Sequence, residues 1–252
     1  MVKNFIKFDN NREIAFVRSF YDVKGKKLPG VIFLGGFRSD MNGTKALALE
    51  KFCFSQKRDF LRFDYSGHGA SSGAFTDGCI SDWLEDSRNI ICKFCDNDQI
   101  LVGSSMGGWL AFLLADIIPK KIKGMVGIAA APDFTETGFW QSFTPNERKQ
   151  LNDIGYVDVP SDYDEPYRIT KKLIKDGRKH LIFGKSKNYD FPIVLLQGTA
   201  DSAVKIEVPL QILEETSSPD IQLTLIKDAD HSFSSNRCLK AIFQSIEDLS
   251  VR

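Results

Sequence analysis

The sequence predicts an α/β protein built on a doubly wound, mostly parallel sheet, with a short helical lid inserted before the penultimate strand. Two observations carry this expectation. Between residues 30 and 131, continuous apolar runs of strand length alternate with helical patterns. That is the rhythm of a sheet buried on both faces by crossover helices. The rhythm stops from residue 134 to residue 189 and resumes at residue 191. A chain of 252 residues suffices for one substantial core, so a second domain is not required. The expected organisation is a core in two parts, 1–132 and 191–252, with the lid at 133–190.

The elements follow in order. Residues 5–8 and 13–20 read as two strands, with Asp9-Asn10-Asn11-Arg12 as the turn between them. Alternation at Ile14, Phe16 and Arg18 predicts a solvated face and an edge position. Residues 24–29 form a polar connection. Residues 30–34 are a buried strand that ends in Gly35-Gly36-Phe37-Arg38; a glycine pair there lets the backbone approach a ligand closely. A helix over 44–56 leads to a strand at 59–64. Its exit, Tyr65-Ser66-Gly67-His68-Gly69-Ala70-Ser71-Ser72-Gly73, is read as a structural loop, because no helix opens directly and no phosphate-binding lysine follows. Helices over 80–95 and 106–117 flank a strand at 99–102, and a strand at 124–131 is stopped by Pro132-Asp133.

Residues 134–189 are polar, aromatic and poorly periodic, with Phe139, Trp140, Phe143, Tyr156, Tyr163 and Tyr167. A long interruption inside an α/β domain is usually functional. It reads as a lid of short helices over the strand ends, in which Phe139, Trp140 and Phe143 are candidate substrate-binding rings for an apolar acyl or aryl group. The sheet then resumes with strands at 191–196 and 221–226, and helices over 205–216 and 236–249.

The chemistry centres on Gly103-x-Ser105-x-Gly107, preceded by an apolar strand and followed by an apolar helical pattern. This is the strand–turn–helix setting of a nucleophile elbow. A sharp turn lifts the serine hydroxyl to the sheet edge, and flanking glycines are needed because a Cβ would collide with the turn. Three histidines are available, His68, His180 and His231. His231 directly follows the last strand, where catalytic groups of parallel sheets converge, and is the expected base. Asp201, after the penultimate strand, is the expected acid; Asp133 is its rival. Asp228 and Asp230 stand too close to His231 in the chain and read as solvated loop acids. The order Ser105, Asp201, His231 suits acyl transfer, in which His231 accepts the serine proton while Asp201 fixes its tautomer. The oxyanion donors expected are the N–H groups of Met106 and Phe37, each contributing roughly 3 kcal/mol. Activity should rise with deprotonation of the base, around neutrality. No metal or cofactor is called for.

Composition narrows the function classes. Formal charge sums to zero, which favours neither nucleic acid nor an anionic membrane surface. The longest apolar runs fall short of a membrane span. Five cysteines cannot form a complete disulfide framework, and Cys92-x-x-Cys95 lacks the second ligand pair of a zinc site, so both are expected buried in a helix. The first nine residues have no long apolar core region. These points lead to the expectation of a reducing, cytoplasmic setting.

Taken together, the motifs resemble the α/β-hydrolase superfamily. The loop Asp64 to Gly73 resembles its D-x-R-G-H-G-x-S segment, with Ser66 where arginine is usual, and Gly198-x-x-Asp201-x-x-Val204 resembles its acid loop. Gly103-Ser104-Ser105-Met106-Gly107-Gly108-Trp109-Leu110, the strand end at 127–133 and the short lid are similar to the mitochondrial acyl-protein thioesterase and acyl-glucuronide esterase branch and its bacterial relatives. The resemblance implies a serine hydrolase of O-acyl or S-acyl esters, with a small-molecule or acylated-protein substrate. A peptidase of the same fold and a non-catalytic ligand-binding homologue are the competing readings. An aspartate at position 105 would have indicated a dehalogenase instead.

Overall fold

The computed structural model describes residues 2–8, 11–22, 27–96, 98–160 and 166–251. Asp9 and Asn10 of the expected turn, residues 24–26 of the polar connection and Tyr163 lie outside the described residues. The chain runs β1 (Asn4–Lys7), β2 (Glu13–Ser19), β3 (Gly30–Leu34), α1 (Thr44–Ser55), β4 (Phe60–Phe63), α2 (Ile80–Phe94), β5 (Gln99–Ser104), α3 (Met106–Ile117) and β6 (Ile122–Ile128). After an intervening segment come β10 (Ile193–Gly198), α6 (Glu207–Glu215), β12 (Ile221–Ile226) and α7 (Asn236–Val251).

Eight strands form one sheet in the order β1-β2-β4-β3-β5-β6-β10-β12. From β4 to β12 every neighbouring pair is parallel; β1 and β2 add an antiparallel edge. Two apolar cores sandwich the sheet. One gathers side chains of α2, α3 and α6 with residues of the intervening segment, and the other gathers α1 and α7. Helix α3 is buried from Met106 to Ala115. Such all-round apolarity suits a helix that separates the sheet from a further layer. Trp109 marks the junction: its indole N–H donates to the His180 carbonyl at 3.1 Å.

The expected edge position holds for β1, not β2. Ile14, Ala15, Phe16 and Val17 are all buried, because Ile14 and Phe16 enter the large core while Ala15 and Val17 pack with Met41 on the opposite face. Cys92 is exposed rather than buried, since it projects from the solvent side of an amphipathic helix. All five cysteines are free, and among the described residues no cluster of three or more His, Cys, Asp or Glu side chains is arranged to hold a metal.

The segment between β6 and β10 is not helical throughout. It opens with a π-helical stretch, Thr135–Trp140, followed by α4 (Pro145–Ile154), β7 (Tyr156–Val159), β8 (Tyr167–Thr170), α5 (Lys171–Gly177) and β9 (Lys187–Asn188), which pairs with β11 (Thr216–Ser217). Strands β7 and β8 form an antiparallel ladder. Helix α4 starts at a capping box between Thr144 and Glu147 with Pro145 in its first turn, and stops at Gly155 in the left-handed region. The rear of the segment is tied to the core. Asp176 accepts both the N–H and the hydroxyl of Ser81 in the first turn of α2.

Candidate active site

Ser105 stands between β5 and α3 with φ 54° and ψ −118°, a backbone conformation that costs an L-residue about 1–3 kcal/mol. Its main chain is held on both sides. The N–H donates to Ile128 O at 2.9 Å, and its carbonyl accepts from Gly108 and Ala131. The glycines have steric causes, one within the turn and one across the sheet. A Cβ on Gly103 would lie 2.4 Å from Gly107 O, and one on Gly107 would lie 2.1 Å from Leu34 O. Ser104 and Met106 are buried while Ser105 is half-buried, so the turn leaves the serine accessible.

Two further loops leave the same carboxyl edge of the sheet, after β10 and β12, and they are laced together. Ala200 N donates to Ala229 O at 3.0 Å, and Asp228 N donates to Thr199 Oγ1 at 2.9 Å. A Cβ on Gly198 would meet Ala229 O at 2.1 Å, so the loops approach backbone to backbone. The result brings Asp201 and His231 together, with His231 Nδ1 2.9 Å from Asp201 Oδ2. The other carboxylate oxygen accepts from the N–H groups of Ala203 and Val204 at 2.9 and 2.8 Å. Burial pushes the Asp201 carboxyl up, but the hydrogen bonds from His231 and the two amides, with the field of His231, outweigh it and hold the group below its usual range. With Nδ1 committed to a carboxylate, Nε2 is the ring atom left for proton transfer. Asp228 and Asp230 are exposed, and Asp230 accepts from Ser232 and Phe233 within its own turn.

The loop after β3 approaches the serine: a Cβ on Gly36 would sit 3.4 Å from Ser105 Cβ. Phe37 follows, and its ring is the hub of an aromatic cluster with Phe75, Phe134, Phe139 and Tyr167 at centroid distances of 4.9, 5.4, 5.8 and 5.9 Å. Met106 opens α3, and an N–H in the first turn of a helix has no intrahelical acceptor. Phe139 thus lies against the Phe37 loop, and Phe143 is buried behind it. Trp140 is turned elsewhere. The Arg178 and Arg148 guanidinium groups lie 4.5 and 5.0 Å from its ring centroid.

Asp133, the rival acid, is committed to other partners. Its buried carboxylate accepts from Ile182 N at 2.9 Å and Phe183 N at 3.0 Å, anchoring the end of the intervening segment. His180 bonds Ser81 Oγ, in the first turn of α2, at 2.7 Å. Residues that sequence reasoning missed lie behind the pair. Gln197 Nε2 donates to Asp201 Oδ2 at 3.0 Å. Lys45 Nζ donates to the carbonyl of Ser232, next to His231. Burial lowers the Lys45 ammonium to about 8 against the raising fields of Asp230, Cys238 and Asp201. Position 197, directly before the acid loop glycine, was the one available signal; Lys45 carried none.

Residues 33–153 match the sequence family described as the alpha/beta hydrolase fold, and the chain belongs to the α/β-hydrolase family. It is 38% identical over 230 residues to palmitoyl-protein thioesterase ABHD10, mitochondrial, of Bos taurus, covering 90% of this chain and 74% of that protein. The structure of alpha/beta hydrolase domain-containing protein 10 from mouse superposes with a TM-score of 0.88 at 32% identity, over 99% of this chain and 98% of that one. A crystal structure from Agrobacterium vitis S4 superposes with a TM-score of 0.93 at 36% identity, over 99% and 98%. The cytoplasmic setting expected from the sequence is corrected here, because the thioesterase relatives are mitochondrial by name. Free cysteines distinguish a reducing from an oxidising compartment; they do not separate one reducing compartment from another.

Proposed function

We propose that the chain is a serine hydrolase of acyl esters and thioesters, acting through Ser105, His231 and Asp201 and a covalent acyl-enzyme. The observation that carries this reading is the His231–Asp201 hydrogen bond, on loops that leave the same sheet edge as the strained elbow of Ser105. His231 Nε2 takes the proton as Ser105 Oγ attacks the acyl carbon. The negative oxygen that forms is received by the N–H groups of Met106 and Phe37. Collapse expels the alcohol or thiol, which leaves with the proton from His231. Water, deprotonated by the same histidine, then attacks the acyl-enzyme and releases the acid.

Residues 133–190 form the lid in this reading, with Phe139 and Phe143 on the acyl side. Trp140, held between two arginines, is the least suited of the three rings to touch substrate. The relatives' name supports a long acyl chain on a protein thiol as the substrate class.

The test is hydrolysis of matched oxygen esters and thioesters from acetyl to palmitoyl, with Ser105→Ala alongside. A maximum at long thioesters, lost in the variant, supports a fatty-acyl deacylase. A maximum at short esters makes it a small-molecule carboxylesterase. Cleavage of aminoacyl-arylamides would favour a peptidase. Absence of turnover in folded wild-type protein would leave a ligand-binding homologue.

A further inference from the structure

The glycine-rich loop between β4 and α2 encloses a buried histidine with both ring nitrogens engaged. His68 Nδ1 lies 3.2 Å from the Ser66 carbonyl, and Nε2 lies 3.2 Å from Arg38 N. A carbonyl only accepts and a backbone N–H only donates, so Nδ1 carries the proton and Nε2 is the bare acceptor. Tyr65, Phe75 and Trp83 surround the ring at centroid distances of 5.4, 5.1 and 5.1 Å. Burial lowers its pKa to about 4, against the raising bond to Ser66, which keeps the acceptor bare at neutral pH.

Arg38 directly follows the oxyanion candidate Phe37 and has φ 55°. A non-glycine residue there costs about 1–2 kcal/mol and persists only where its surroundings hold it. They do so from several directions. Tyr65 donates its hydroxyl to Gly35 O at 3.1 Å, and Ser39 N and Oγ both donate to Gly36 O. The Arg38 guanidinium reaches the Pro166 carbonyl and lies over the Tyr167 ring.

The two peptide planes that flank Phe37 are therefore each pinned. Gly36 C=O and Phe37 N–H share one trans plane and point in opposite directions, so Ser39 fixes that plane from its carbonyl side. Arg38 N–H belongs to the next plane, and His68 fixes that one. We propose that His68 is a positioning residue of the oxyanion hole: by accepting from Arg38 N–H it holds the strained turn that aims Phe37 N–H at the reacting acyl oxygen. The proposal rests on the assignment of Phe37 N–H as an oxyanion donor.

The test has two arms. In the first, nitrogen-15-labelled wild-type protein at neutral pH is read by NMR for the His68 tautomer and for a coupling across the hydrogen bond between Arg38 N and His68 Nε2. An unprotonated Nε2 with a measurable coupling supports the proposal, and a protonated Nε2 overturns it. The second arm compares His68→Gln with His68→Leu in ester and thioester hydrolysis. Glutamine keeps an acceptor within reach of Arg38 N–H; leucine removes it. His68→Leu should lose about tenfold to a hundredfold in kcat, with KM within about twofold, and His68→Gln should recover most of that loss. Unchanged kcat in a folded His68→Leu protein, or a loss confined to KM, overturns the proposal. Should leucine prevent folding, the tautomer in wild type and the rates of His68→Gln still decide it. A wild type that holds the coupling but turns over neither ester nor thioester would remove the hydrolase reading, and the oxyanion role with it, leaving a loop anchor.

Discussion

Gln197 donates its side-chain amide to Oδ2 of Asp201 at 3.0 Å, the same oxygen that receives His231. With Ala203 and Val204 on Oδ1, the carboxylate has four donors and cannot rotate without losing several. Gln197 Nε2 also faces the carbonyls of Gly198 and Val204. Flipping the amide would aim an oxygen at three acceptors, so its orientation is determined. The buried Oε1 has no partner among the described residues. The unpaired oxygen costs about 1–3 kcal/mol, set against the bonds its N–H groups make to Asp201, Gly198 and Val204.

Gln197→Met should therefore act on catalysis beyond stability. A carboxylate with one donor fewer can rotate and orients the His231 imidazole less firmly. kcat should fall about threefold to tenfold, with urea unfolding measured alongside. An unchanged kcat would reduce Gln197 to a packing residue.

Two aspartates can be told apart by rate. Asp201→Asn should lower kcat by about four orders of magnitude, because an amide beside Nδ1 selects the wrong tautomer. Asp133→Asn should cost less than about tenfold in kcat while lowering stability by about 1–3 kcal/mol, since it weakens the anchor on Ile182 and Phe183. Steady-state rates with urea unfolding separate the two, and equal loss of activity would revive Asp133 as the acid.

The elbow glycines make a packing prediction. Gly107→Ala places a Cβ 2.1 Å from the Leu34 carbonyl, between backbones that cannot yield easily. It should lower unfolding free energy by about 3 kcal/mol or more. Gly138→Ala, whose nearest neighbour would be 3.7 Å away, should be within about 1 kcal/mol of wild type. Denaturant midpoints of the two variants measure the contrast.

His68 also sets a pH dependence of stability. Its folded pKa falls from 6.5 to about 4, so between these values the unfolded chain binds more protons than the native one. Stability should then rise with pH across that window and be lost as pH falls through it, by roughly 3 kcal/mol in all. Burial raises the carboxyls of Asp64, Asp86 and Asp133, and these act in the opposite sense. Subtracting the His68→Gln profile from the wild-type profile isolates the histidine. A flat difference would mean that the ring titrates normally.

Several expectations failed for one physical reason, dependence on partners remote in sequence. The edge position expected of β2 failed because Ala15 and Val17 are covered by Met41, which the alternation at Ile14, Phe16 and Arg18 does not reveal. In place of the expected short helices stands the β7–β8 ladder, whose four-residue strands mix aromatic with charged positions and are held by pairing with each other. The Arg148 and Arg178 groups over the Trp140 ring, eight and thirty-eight positions on, are likewise not legible in the sequence. His68 was legible only as a loop residue, since its partner Arg38 stands thirty positions earlier.

What the sequence by itself determined is the serial order of strands and helices; it also singled out Ser105, Asp201 and His231, which the proposed function joins in one site. Ser105 sits where strand periodicity meets helix periodicity, and a Cβ on Gly103 would meet Gly107 four residues on; such short-range sterics are written in neighbouring residues, whereas Gly107 is constrained by Leu34 across the sheet. Tertiary structure alone decided the lateral order of the strands, the Gln197 amide on the Asp201 carboxylate, and the hydrogen bond from Arg38 N–H to His68. Those depend on hydrogen-bond geometry between loops that only folding brings together, and a buried donor or acceptor has a defined direction only once its partner is in place.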